Sequence, residues 1–217
     1  MNYKILWKYK APKMDTILLE TEWISEKVID RLMDDFIKTG RTVDITILDE
    51  MGNEWTKKEY VKLKKAIELE PSNIIVYFDG GYDLKQKVAG IGIVIYYDKG
   101  DKHFRVRANY RLEELESNNE AEYAALYNAI MLLEELNIRH MPCTIKGDSH
   151  GVLKQLSGEW PCFEKVLNQW LDRIESKIKK LGIKPIYEPI PRSDNKEADQ
   201  LASQALNNKI VHSQIEL

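Results

Sequence analysis

Ile74-Ile75-Val76-Tyr77-Phe78-Asp79-Gly80-Gly81 runs five apolar residues into a carboxylate and then two glycines. A continuous apolar run of this length predicts a central strand buried on both faces. An ionised acid directly after such a run is costly unless something pairs with it. Gly80 and Gly81, lacking Cβ atoms, let another backbone or a sugar–phosphate chain approach closely. The arrangement recurs downstream, where Pro142-Cys143-Thr144-Ile145-Lys146 leads into Gly147-Asp148-Ser149. Parallel neighbours that both end in Asp set two carboxylates side by side at the carboxyl edge of a sheet, where open α/β sheets bind ligands. Like charges so close repel, so the pattern asks for cations.

The surrounding elements follow from periodicity. Residues 88–97 and 103–110 read as a hairpin across Asp98-Lys99-Gly100-Asp101. A helix is predicted over 119–136, helices at about 150–157 and 161–181, a strand over 183–187 and a closing helix at about 194–208. The order βββαβααβα makes a mixed five-stranded sheet with helices on both faces. Upstream, strands at 3–9, 16–19 and 42–48 alternate with two helices, one running from Ser25 to Gly40 and one capped by Thr56 and ending at Glu68. That is a small α+β (ββαβα) domain of ~70 residues, near the lower size for an independent core. Pro71 disfavours helix at Glu70, so the division expected is 1–70, a linker at 71–73 and a domain over 74–217.

Two more acids sit near predicted helix starts: Glu122 in Asn118-Asn119-Glu120-Ala121-Glu122 and Asp199 in Asn195-Lys196-Glu197-Ala198-Asp199. Either alone is explained by the helix dipole. Ala121 and Ala198 are small enough to let each helix end pack closely. Four oxygen donors with no cysteine and no obligatory histidine suit Mg²⁺ or Mn²⁺ rather than zinc.

The blocks Asp79-Gly80-Gly81, Asn118-Asn119-x-x-Glu122, Gly147-Asp148-Ser149 and Asn195-x-x-Ala198-Asp199-x-Leu201-Ala202 resemble, in order, the four catalytic blocks of ribonuclease H type I. Their shape is similar to the bacterial and archaeal branch labelled reverse-transcriptase-like, over about residues 74–208. The resemblance implies a ribonuclease H-like α/β fold and a metal-dependent endoribonuclease that hydrolyses the RNA strand of RNA/DNA hybrids to 5′-phosphate and 3′-hydroxyl ends. It implies that Asp79, Glu122, Asp148 and Asp199 hold two divalent ions ~4 Å apart. Gly80, Gly81, Asn118 and Asn119 then match positions at the minor groove, where 2′-hydroxyls mark RNA. Ser149 and His150 match substrate-contacting positions, and Arg192 matches a phosphate-contacting one. The chain departs from relatives in three places. His150 replaces a common Gln, residues 188–194 contain no His, and no basic handle separates the helices after His150. These departures support two alternatives: an RNA- or hybrid-binding module with little turnover, or a nuclease of this fold acting on another RNA.

Composition narrows the rest. With 31% charged and 43% hydrophobic residues the chain is of the soluble globular kind, and its net charge of −3 excludes binding nucleic acid through bulk positive charge. No apolar run approaches the ~20 residues of a membrane span. Met1-Asn2-Tyr3-Lys4-Ile5-Leu6-Trp7 is too short and too soon interrupted by lysine to be a signal peptide, so a cytoplasmic location is the expectation. Cys143 and Cys162 lack any CxxC context and read as small apolar groups. His103, His140 and His212 read as surface residues, and Trp160 as a packing anchor between helices. Trp55, Lys57, Lys58, Tyr60, Lys62, Lys64 and Lys65 interleave aromatics with positive charge, as nucleic-acid surfaces do, but with Glu54 and Glu59 beside them they read as a solvated helix face. Residues 1–70 are expected to recruit substrate or a protein or nucleic-acid partner.

Overall fold

Residues 2–217 are described by a computed structural model, and the chain separates into two units, Met1–Leu69 and Glu70–Leu217. The N-terminal unit is built from β1 (Asn2–Tyr9), β2 (Ile17–Glu20), β3 (Ile24–Ser25), α1 (Glu26–Lys38), β4 (Thr42–Asp49), β5 (Glu54–Thr56) and α2 (Lys57–Leu69). Its antiparallel sheet has the order β2-β1-β4-β5, with β3 also on β1. Alternate residues of β1 and β4 face the helices: Tyr3, Ile5, Ile45 and Ile47 pack on Ile29 and Met33 of α1 and Tyr60 of α2. After α1 the chain leaves the helix at Gly40, whose φ of +66° favours glycine. At the head of α2, Thr56 and Glu59 form a reciprocal capping box. The two short strands β3 and β5 are additions to the predicted ββαβα order. At two and three residues they carry too little periodicity to be read.

In the C-terminal unit the apolar run opens β6 (Pro71–Asp83), followed by β7 (Val88–Lys99), β8 (Lys102–Leu112), α3 (Asn118–Glu135), β9 (Pro142–Gly147), α4 (His150–Leu156), α5 (Lys165–Leu181), β10 (Lys184–Pro189), α6 (Lys196–Leu206) and β11 (His212–Glu216). The sheet order is β10-β9-β6-β7-β8-β11. β6, β7 and β8 meander antiparallel, while β9 and β10 run parallel to β6 by crossover. Val76, Phe78, Ile93 and Ile95 face α3 and α5. Tyr77, Val94 and Tyr96 line the opposite face with Ala198 and Leu201 of α6. Helices cover both faces, which is why β7 reads as an unbroken apolar segment.

Several expectations need correction. The sheet has six strands, not five: β11 pairs antiparallel with β8 through His212↔Ala108 to Glu216↔Phe104. Its sequence, His-Ser-Gln-Ile-Glu, is almost wholly polar, because an edge strand can be held by backbone bonds alone. The supposed linker belongs to β6, since Pro71 and Ser72 pair with Lys99 and Asp98, and a bulge follows. The helix expected from 161 begins at Lys165, because Glu164 is extended ahead of it. The closing helix is split into a 3-10 turn, Arg192–Asp194, and α6. Trp160 is half exposed and is no packing anchor. That role belongs to Trp170, whose ring meets Tyr127 and whose Nε1 donates to Glu120 at 3.0 Å.

Candidate active site

Asp79 is the centre from which the site is assembled. The parallel register ends at Tyr77↔Lys146, with Asp79 two residues further along β6 and Asp148 one residue beyond the end of neighbouring β9. On the other flank Asp79 pairs with Gly92 of β7. A Cβ at Gly92 would lie 2.1 Å from the carbonyl oxygen of Ala198, so α6 rests directly on the sheet there and carries the next residue, Asp199, to this edge. A Cβ at Gly80 would lie 2.3 Å from the carbonyl carbon of Ala121 and 2.5 Å from the amide nitrogen of Glu122. The absent side chain of Gly80 therefore admits α3. Ala121 and Ala198 are both buried at these contacts. Two helices from opposite faces thus deliver one acid each to the place where the β6–β9 ladder stops and two acids already sit.

The electrostatics agree with that convergence. Burial, then the charges of Asp148, Asp199 and Glu122, push the Asp79 carboxyl up to about 7. Glu122 is also raised, by burial first; the Ser149 hydroxyl works against this and the Asp148 charge adds to it. Ser149 Oγ donates to Glu122 Oε2, and Asn118 Nδ2 donates to Oε1 at 3.4 Å. Asn118 Oδ1 accepts from the Tyr82 amide at 3.2 Å, which ties the head of α3 to β6. Arg192 Nη2 donates to Asp199 Oδ1 at 2.7 Å, although its side chain is 79% exposed. Arg192 therefore lies on a carboxylate here. Asn119 and His150 are exposed beside the site, Gly81 is partly covered, and the His150 amide donates to the Asp148 carbonyl at 3.1 Å. Glu122 is the fifth residue of α3, just past its first turn.

Sequence reasoning assigned no role to Asn195. It is 1% exposed, and its Nδ2 donates both to the Phe78 carbonyl at 3.0 Å and to Asp148 Oδ1 at 2.7 Å. One amide so locks the start of α6 to β6 and orients a candidate ligand. Its place four residues before Asp199 was the available signal: a buried amide ahead of a helix acid can serve two acceptors at once.

The donor chemistry fits a hard divalent cation, since carboxylate oxygens gather round Asp79 and raise the cost of its charge. The grouping is looser than expected. Among the described residues, no three His, Cys, Asp or Glu side chains stand closely enough to hold an ion. Glu122 is turned to Ser149 and Asp199 to Arg192.

The chain belongs to the reverse transcriptase-like family, whose model matches residues 77–205. Within that class it is similar to the uncharacterized protein YpeP of Bacillus subtilis (strain 168), 48% identical over 169 residues, which are 78% of this chain and 74% of that protein. Among solved structures it is similar to RNase H1 from the halophilic archaeon Halobacterium salinarum NRC-1, with a TM-score of 0.54 and 27% identity over 62% of this chain and 98% of that one. It is also similar to LC11-RNase H1, solved in complex with an RNA/DNA hybrid, with a TM-score of 0.56 and 28% identity over 63% of this chain and 98% of that one. The C-terminal unit thus has the ribonuclease H-like fold. Among the described residues no helix is long and apolar enough to cross a membrane.

Proposed function

We propose that the chain is a metal-dependent endoribonuclease that hydrolyses the RNA strand of RNA/DNA hybrids, leaving 5′-phosphate and 3′-hydroxyl ends. The observation that carries this reading is the convergence of β9, α3 and α6 on half-buried Asp79, which brings Asp148, Glu122 and Asp199 towards it and pushes its carboxyl up to about 7. A protein keeps so unfavourable a group at a sheet edge when a cation offsets it. Asp79, Glu122, Asp148 and Asp199 would hold two Mg²⁺ or Mn²⁺ ions. Bound there, such ions lower the pKa of a water nucleophile and stabilise the departing oxygen. Asn195 orients Asp148, and Ser149 holds Glu122, which would turn from that hydroxyl to reach an ion. The exposed amides of Asn118 and Asn119 can donate to and accept from a 2′-hydroxyl, which separates RNA from DNA. Arg192, mostly in solvent, can exchange Asp199 for a phosphate.

A labelled hybrid incubated with Mg²⁺ or Mn²⁺ tests this beside Asp148→Asn. Cleavage by the wild-type chain and none by the variant is expected. Cutting by both alike, or by neither at any metal concentration, rejects it. A second reading, a hybrid-binding module with little turnover, is favoured by the pairing of Arg192 with Asp199 and by the loose grouping of the acids. It predicts affinity without cleavage in the same assay, and a panel of structured and double-stranded RNAs tests for a different substrate.

A further inference from the structure

Helix α2 holds five lysines against two glutamates in 13 residues. Sorted by partner, the lysines separate. Lys57 reaches Asp34 at 3.1 Å and Lys64 reaches Asp30, both bridging to α1. Tyr60 is buried and Trp55 packs against the same core, so the aromatics interleaved with these lysines in sequence face inward and cannot stack on bases. Lys58, Lys62 and Lys65 remain exposed, and among the described residues none of them is in a salt bridge. With Lys57 and Val61 they line a shallow open depression. Glu59, one turn before Lys62, directs its carboxylate to the Thr56 amide at 3.0 Å and hydroxyl at 2.8 Å.

Steps of four and three residues put these three lysines on one helix face, with the Glu59 carboxylate near enough to feel the Lys62 charge. At ~1.5 Å of rise per residue they span ~10 Å, about three base-pair steps of ~3.4 Å along a duplex axis. Lysine ammoniums are point charges that match a ladder of phosphates without reading bases. A lipid surface is the poorer fit, because the exposed apolar residues of α2, Val61, Ile67 and Leu69, are scattered round the helix and form no single apolar face.

We propose that the Lys58, Lys62 and Lys65 face of α2 docks nucleic acid by its phosphodiester backbone, independently of sequence, and keeps substrate close to the catalytic unit. The recruiting role rests on the nuclease reading above, whereas the docking itself does not. A tethered site raises the local substrate concentration without any new contact at the acids.

The test measures fluorescence anisotropy of a labelled hybrid and a labelled DNA duplex with the full chain in EDTA, across a salt titration. The wild-type chain is compared with Lys58→Gln/Lys62→Gln/Lys65→Gln and with the corresponding triple Arg variant. Loss of three phosphate contacts lowers the slope of log K against log salt by about 2.7 and the affinity at ~0.1 M salt by on the order of 10²-fold, on both nucleic acids. The Arg variant retains both. Equal slopes and affinities for the wild-type and Gln chains overturn the proposal, as does a Gln chain that loses only its binding to phosphatidylserine vesicles. Lysine-dependent binding by a chain that never cleaves keeps the docking surface and ends the nuclease reading. Cleavage with unaltered affinity in the Gln chain does the reverse.

Discussion

Replacing Gly92 by alanine tests how the site is assembled without touching any acid. The new Cβ would stand 2.1 Å from the Ala198 carbonyl oxygen and 2.6 Å from the Ala202 nitrogen, both backbone atoms that cannot rotate away. Real Cβ contacts stop at 3.0 Å, so α6 must retreat by at least 0.9 Å. Overpacking of this kind costs ~1–3 kcal/mol. In a unit of this size that lowers Tm by roughly 3–10 °C. The retreating helix carries Asp199 and pulls at the Asn195 bridge, and a misplacement of ~1 Å near reacting atoms costs on the order of 10²-fold in rate. Calorimetry reads the first effect and hybrid cleavage the second. Gly151→Ala is the control: it lies in α4, nothing stands within 4 Å of its added Cβ, and it should be neutral or stabilising by up to ~1 kcal/mol. A Gly92→Ala chain that melts and cleaves like wild type would falsify the close-approach argument.

Asp79→Asn should stabilise the C-terminal unit in alkaline, metal-free buffer. The wild-type carboxyl is raised, so its favourable neutral form is complete below about pH 4 and is lost as pH rises through about 7. The variant's advantage approaches ~4 kcal/mol at most and vanishes in acid; denaturant titrations showing the same gap at pH 4 and pH 8.5 refute this. Asn195→Ala should cost ~1–3 kcal/mol, because it strands the Phe78 carbonyl, and should slow cleavage by freeing Asp148. Unchanged urea midpoints and rates would contradict it. Cys143 is buried and its thiol pushed up to about 12, so a thiol reagent at pH 8 should label Cys162 alone until denaturant is added; mass spectrometry of labelled peptides reads this directly.

Much of the fold was legible because burial on both faces writes itself as unbroken apolar runs. The apolar stretches of β6 and β7 are of this kind, whereas β9 alternates, and Asp79 lies inside β6 instead of ending it as its sequence suggests. What escaped was held by backbone or by one polar atom. β11 has a single large apolar residue, Ile215, and is stabilised by its ladder to β8. Pro71 and Ser72 look like a linker because local chemistry favours a turn there, yet pairing across to β7 overrides it. The four acids could be named in order, but their partners could not. Whether Arg192 faces phosphate or Asp199, and whether Ser149 faces substrate or Glu122, depends on side-chain directions that spacing does not encode.

The strand β11 has a wider consequence. Asn109 of β8 clasps the segment leading into it, donating to the carbonyls of Leu201 and Lys209 and accepting from the Val211 amide. Without that covering strand β8 would present a row of bare amides and carbonyls, a template for any passing chain. The opposite border, β10, is blunted instead by Pro185 and Pro189. Damage to the terminal segment would therefore surface first as clumping of otherwise folded molecules.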